Sequence, residues 1–134
     1  SHQFVIRRAA FDLIRKGENE KAIDLIDQYF EGFPSFNFPY DYRAYYMIEG
    51  YIAAGSYERA KEHLGILARE TADRLNYFSS LKPETIRSSY ENEYQLSYRI
   101  MEDMIGVVQQ NGDSEFFGEL ENLFNRFRGN SINN

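Results

Sequence analysis

The chain contains no cysteine and no tryptophan, and only three prolines and two histidines among 134 residues. Without cysteine there is no disulfide framework, no thiolate metal site and no thiol nucleophile. That absence suits either side of a bacterial inner membrane, so it does not fix a compartment. The scarcity of proline, together with the lack of any Gly/Ser-rich linker, disfavours a sandwich or a disordered chain and favours helix. No apolar run is long enough to span a bilayer, and none has the pattern of a signal peptide. Positive charge is in the minority: 15 Lys and Arg stand against 21 Asp and Glu, a formal net charge of −6. That balance excludes the phosphate-dominated binding of nucleic acids and anionic membranes.

What is present is aromatic and helical. Aromatic residues make up 16% of the chain and apolar residues 43%, enough for one domain with a core of its own. The chain is therefore expected to be a single domain over 1–134. Its opening, Ser1-His2-Gln3, lacks an initiating Met and looks like the scar of a cleaved tag. A piece of a longer polypeptide is expected.

Two segments align through their turns. Gly17-Glu18-Asn19-Glu20-Lys21-Ala22 continues to Ile26, and Gly55-Ser56-Tyr57-Glu58-Arg59-Ala60 continues to Leu64. In each, a glycine that ends one helix is followed five residues later by Ala and nine residues later by a large aliphatic side chain. Glycine takes the left-handed conformation that closes a helix. The small Ala suits the closest approach of two antiparallel helices, and the aliphatic residue fills the groove beyond it. With Ala10, Leu13 and Tyr51 upstream and Pro34 downstream, the sequence resembles the tetratricopeptide family. It departs from that pattern at Ile6 and Ala44, where the usual Trp is missing, and in a 38-residue offset between copies.

A fourth helix is predicted from Tyr57 towards Phe78, with Ala60, Leu64, Leu67, Thr71, Leu75 and Phe78 as its buried stripe. Leu81-Lys82-Pro83 breaks it, and Pro83 suits the first turn of the next helix. Ile86, Tyr90, Tyr94, Met101, Ile105 and Val108 form the stripe there, up to Asn111-Gly112. A last helix from Asp113 or Ser114 draws its buried side chains from Phe116, Phe117, Leu120, Leu123, Phe124 and Phe127. The expected architecture is all-α: three antiparallel helical hairpins at about 4–33, 40–78 and 84–128, with a disordered tail over 129–134. The resemblance implies that they stack as a right-handed superhelix.

Catalytic motifs are missing from the sequence. Glu91, Glu93, Glu102 and Asp103 are the densest acidic group, and a carboxylate pair can do acid–base work or hold a metal. Neither His2 nor His63 has the Glu three residues upstream that a helical di-metal site requires, so a solvated acidic face is the better reading. No Gly-rich phosphate loop and no nucleophile elbow occurs. No metal, cofactor or catalytic residue is expected.

The aromatics between Tyr29 and Tyr51 are more informative. Phe33, Phe36 and Phe38 are expected to pin the connection between hairpins onto the core. In a tetratricopeptide array the first helix of each pair lines a concave groove. Transfer by the Gly/Ala register puts Phe4, Arg7, Arg8, Phe11 and Arg15 on one wall, and Tyr42, Tyr45, Tyr46, Glu49 and Ile52 on the other. Arginines beside tyrosine faces can hold a carboxylate-bearing segment by paired hydrogen bonds and stacking. The alternative is that the chain's own long helices cover the groove.

A narrower resemblance rests on Phe38-Pro39-Tyr40-Asp41-Tyr42 followed, after a hairpin, by Asn76-Tyr77-Phe78-Ser79-Ser80-Leu81. These runs, in that order, are similar to the soluble C-terminal region of an uncharacterised bacterial family of multi-pass membrane proteins. The membrane part of that family resembles protein O-mannosyltransferases. The resemblance implies a non-catalytic, extramembrane accessory domain, expected in the periplasm, that docks against its own membrane region, a peptide or another protein. The other readings are a freestanding cytoplasmic adaptor and a small helical enzyme using Glu91, Glu93 or Glu102.

Overall fold

A computed structural model describes the backbone over 2–32 and 40–128, with side chains from Val5 onward. The expectations for Phe33, Pro34, Phe36, Phe38, the Phe4 side chain and the 129–134 tail lie outside these described residues. Among them the secondary structure is helical throughout, with no strand: α1 (His2–Arg15), α2 (Asn19–Glu31), α3 (Tyr42–Ala53), α4 (Tyr57–Ser79), α5 (Pro83–Thr85), a π turn (Ile86–Tyr90), α6 (Glu91–Gln110) and α7 (Ser114–Arg128). The segment 83–110 is continuous, so these elements make six helices. They form two compact units, Ser1–Leu67 and Ala68–Asn134, with the boundary inside α4.

Three of the helix ends are built alike. Gly17, Gly55 and Gly112 have φ of 80°, 90° and 71°. At the first, the Gly17 N–H donates to the Ile14 carbonyl at 3.0 Å and the Glu18 N–H to the Leu13 carbonyl at 2.9 Å. Gly55 and Ser56 repeat this on Ile52 and Tyr51, and Gly112 and Asp113 on Gln109 and Val108. Each pair is the Schellman arrangement, which satisfies carbonyls that the helix end would leave unpartnered. The next helix begins two residues after each glycine, at Asn19, Tyr57 and Ser114. The turn signature therefore occurs three times, once more than the sequence alignment shows.

The packing register after the turn separates the third copy from the others. Ala22, Ile26 and Tyr29 are buried in α2, and Ala60, Leu64 and Leu67 in α4, at the same distances from their glycines. In α7 the buried set is Phe116, Leu120, Phe124 and Phe127, which starts one residue earlier. Half-buried Phe117 stands where the others have Ala. One residue is about 100° of helical rotation, so α7 presents a different face to α6, against which it packs. A bulky residue in place of the small one accounts for the missing signature.

In the first unit α1, α2 and α3 pack on one another. Their contact is close at Gly50, where an added Cβ would lie 2.9 Å from Ile26 Cδ1 and 3.7 Å from Phe11 Cε2. Gly50 is a packing residue between helices. The α4 stripe is buried along its whole length: Ala60, Leu64 and Leu67 in the first unit, Thr71, Leu75 and Phe78 in the second. In the second unit Phe78 packs against Tyr90 and Tyr94 at ring distances of 5.7 and 6.0 Å. Arg126 of α7 donates to Asn76 of α4, and Arg128 donates to Glu102 of α6 at 3.0 Å. Pro83 occupies the first turn of α5, as its missing N–H favours.

Gly17→Ala, Gly55→Ala and Gly112→Ala should each lower unfolding free energy by about 1–2 kcal/mol, since a β-carbon disfavours left-handed backbone. Beyond each glycine and its two chain neighbours, no atom lies within 4 Å of the added carbon, so the cost is conformational and not steric. Gly→Asn at the same positions should cost less, and urea unfolding of the six variants measures the difference. Equal stability of the alanine variants and the parent would contradict the turn assignment.

Candidate functional site

Arg7, Phe11 and Arg15 recur every fourth residue along α1, which places them in one row. With Arg8 they line a concavity of about 330 Å³. Opposite stands α3. The Arg7 guanidinium lies 4.2 Å from the centre of the Tyr46 ring and 6.0 Å from that of Phe11. Tyr46 meets Tyr42 edge-on at 6.1 Å, and Arg43 lies 5.5 Å over the Tyr42 ring. The row Arg43–Tyr42–Tyr46–Arg7–Phe11 thus sets each of its two cations against aromatic rings across two helices, which is attractive because ring faces are negative.

Asp41 anchors the start of that row. As the N-cap of α3, its Oδ1 accepts the Arg43 N–H at 3.0 Å, and its Oδ2 accepts the Arg43 guanidinium, also at 3.0 Å. This hydrogen bond, reinforced by the carboxylate's charge, raises the Arg43 pKa above its ordinary value. Arg15 is likewise paired, with Asp12 one turn before it. Among the described residues no carboxylate pairs with Arg7.

The expected groove residues do not all share one surface. Arg7, Arg8, Phe11 and Arg15 line the concavity, and Tyr46 joins them through Arg7. Tyr42 is exposed at its edge, and Glu49 and Ile52 are half-buried. Tyr45, expected on the groove wall, is only 6% exposed and belongs to the core. On α3 Tyr45 is buried in the core, whereas Tyr46, the next residue round the helix, is half-buried beside Arg7.

A second cluster, centred on His63, has no counterpart in the expected site. The His63 ring stacks on Phe30 with centres 3.9 Å apart and planes 17° from parallel. The Tyr40 hydroxyl and His63 Nδ1 share a hydrogen bond at 3.0 Å. Tyr51, stacked 5.7 Å from His63, donates its hydroxyl to Asp27, which also pairs with Arg59 at 3.4 Å. The cluster ties α2, the entry to α3, α3 itself and α4 together within the first unit. Burial raises the Tyr51 pKa, and its hydrogen bond to the Asp27 carboxylate raises it further.

The acidic group of the sequence is dispersed on α6. Glu102 pairs with Arg128, and Glu93 and Asp103 are exposed. Glu91 accepts from Gln95 through Oε1 at 3.4 Å, while its Oε2 is buried without a hydrogen-bond partner. Among the described residues no three His, Asp or Glu side chains gather into a set that could hold a metal ion.

Burial lowers the His63 pKa below 6.5, against the opposing pull of Glu62 and Asp27. The unfolded chain therefore takes up this proton first. The stability that His63 confers is complete above its unfolded value and is lost as pH falls towards the lowered folded value. His63→Phe keeps a ring for the stack but cannot titrate. Its unfolding free energy should change less than the parent's between about pH 7.5 and about pH 5.5. Denaturant titrations at the two pH values measure this, and equal pH dependence in the two proteins would contradict the account.

Comparisons with protein-family models, with curated proteins and with solved structures gave no match.

Proposed function

We propose that the chain is a non-catalytic docking module whose first unit receives a protein or peptide segment along α1 and the facing side of α3. The observation that carries this reading is the Arg7 guanidinium. It lies 4.2 Å over Tyr46 at a concavity and has no carboxylate partner among the described residues, while Arg15 and Arg43 each have one. A guanidinium stacked on one face keeps its N–H edge directed outward for a ligand. Tyr42, Tyr46 and Phe11 offer flat apolar surface at little entropic cost, which suits recognition of a chain.

The two short motifs extend the proposal to an extramembrane, periplasmic accessory domain of a membrane glycosyltransferase-like protein. Tyr40-Asp41-Tyr42 forms the capped entry to α3, and Asn76–Leu81 contains the end of α4. The described parts of both motifs thus fall at helix boundaries. No helix among the described residues is long and apolar enough to cross a membrane. Within this reading the module contributes attachment, and any transfer chemistry belongs to other parts of the polypeptide.

An unbiased displayed-peptide library tests the docking face whatever the identity of the partner. Clones enriched on the full chain should lose binding to a folded Arg7→Glu/Arg8→Glu variant by about tenfold or more, the loss of one charge-assisted contact. A library that yields no binder, or binders indifferent to the double variant, would refute the docking face.

A further inference from the structure

We infer that the groove selects an extended segment carrying an acidic side chain and, two residues away, an apolar one. Arg7 takes the carboxylate and Phe11 receives the apolar side chain. This inference rests on the docking reading and makes it chemical.

The order of residues along α1 sets the spacing. Arg7 and Phe11 are four residues apart, a rise of about 6 Å. In an extended chain, side chains on the same face recur every second residue, about 6.6 Å apart. A segment lying along α1 can therefore put one side chain at Arg7 and the next on that face at Phe11. Arg15 continues the row by a further turn, so the lining extends beyond Phe11. A segment that runs through fits this row better than a chain end, and an Asp or Glu side chain is the carboxylate that such a segment offers.

The charge at Arg7 is available because the other arginines of the face are engaged. Arg15 is paired with Asp12 and Arg43 with Asp41, and Arg8 has contacts of its own. The Arg7 guanidinium carbon lies 4.2 Å over the Tyr46 ring, and a guanidinium held there by stacking offers its edge for two parallel N–H···O bonds. Lysine would keep the charge but lose both the planar stack and the fork. Tyr46 acts as a positioning residue, holding the guanidinium in one plane.

The test uses the ¹⁵N-labelled full chain and three capped heptapeptides: Gly-Ser-Glu-Ser-Leu-Ser-Gly, its Gln isostere, and a permuted form with Glu and Leu adjacent. The first should shift the Arg7 Nε–Hε resonance. The other two should bind about tenfold more weakly or worse. Arg7→Lys and Tyr46→Leu, each checked for native helix content, should weaken the first peptide by a similar factor. An unmoved Arg7 resonance, equal binding of the Gln peptide, or equal binding of inorganic phosphate would overturn the inference. If library clones still bind through the face but carry no acidic-x-apolar spacing, the carboxylate anchor fails while docking stands. If no clone binds, docking itself has failed.

Discussion

The fold depends on a backbone state that an L-residue adopts only at a cost. At Gly17, Gly55 and Gly112 the chain enters the left-handed region, and the two N–H groups beyond each helix return to carbonyls one turn back. That geometry fixes the exit direction of the chain and starts the next helix two residues later. How closely the two helices then approach depends on the side chain five residues past the glycine. Ala22 and Ala60 are fully buried at that position, while in α7 it is held by half-buried Phe117 and the buried set starts one residue earlier. One local conformation and one small residue therefore bear on how α1, α2 and α3 pack in the first unit.

Much of this is legible in sequence because it is local or periodic. The α4 stripe from Ala60 to Phe78 follows from three- and four-residue spacing alone, and every member is buried. The third turn is harder to see. Its glycine is present, but matching Gly to Ala at five residues meets Phe117 and stops there. The π turn is illegible for another reason: Ile86-Arg87-Ser88-Ser89-Tyr90 contains no proline or glycine to mark it. Neither the superhelical stacking nor the membrane-family resemblance gains support from the folded chain.

The candidate site is legible in part. Helical spacing identifies the row Arg7, Phe11, Arg15, and the concavity contains all three. Spacing cannot decide between Tyr45 and Tyr46, since both lie near the boundary of a helical face and tertiary packing chooses. It also misses the His63 cluster entirely. Local spacing tests His63 only as a metal ligand, whereas its contacts come from Phe30 and Tyr40, more than twenty residues away in the chain. Nothing in a one-dimensional pattern joins a histidine to rings at that separation.

Electrostatics gives the proposed face its particular character. Exposed pairs such as Arg15–Asp12 contribute about 0–1 kcal/mol to stability, so holding the fold together is a minor part of what they do. Their larger effect is to neutralise neighbouring guanidinium groups, which leaves the charge at Arg7 distinct from its surroundings. The chain as a whole carries −6 and repels an acidic segment at long range. At physiological ionic strength that repulsion is screened beyond about 8 Å, so attraction begins only when the segment is nearly in contact. Association is then unsteered, and selectivity comes from how long the carboxylate stays on Arg7. Added salt weakens the distant repulsion and the local attraction together. A shallow salt dependence is therefore the consequence of placing Arg7, which has no carboxylate partner among the described residues, on an acidic protein.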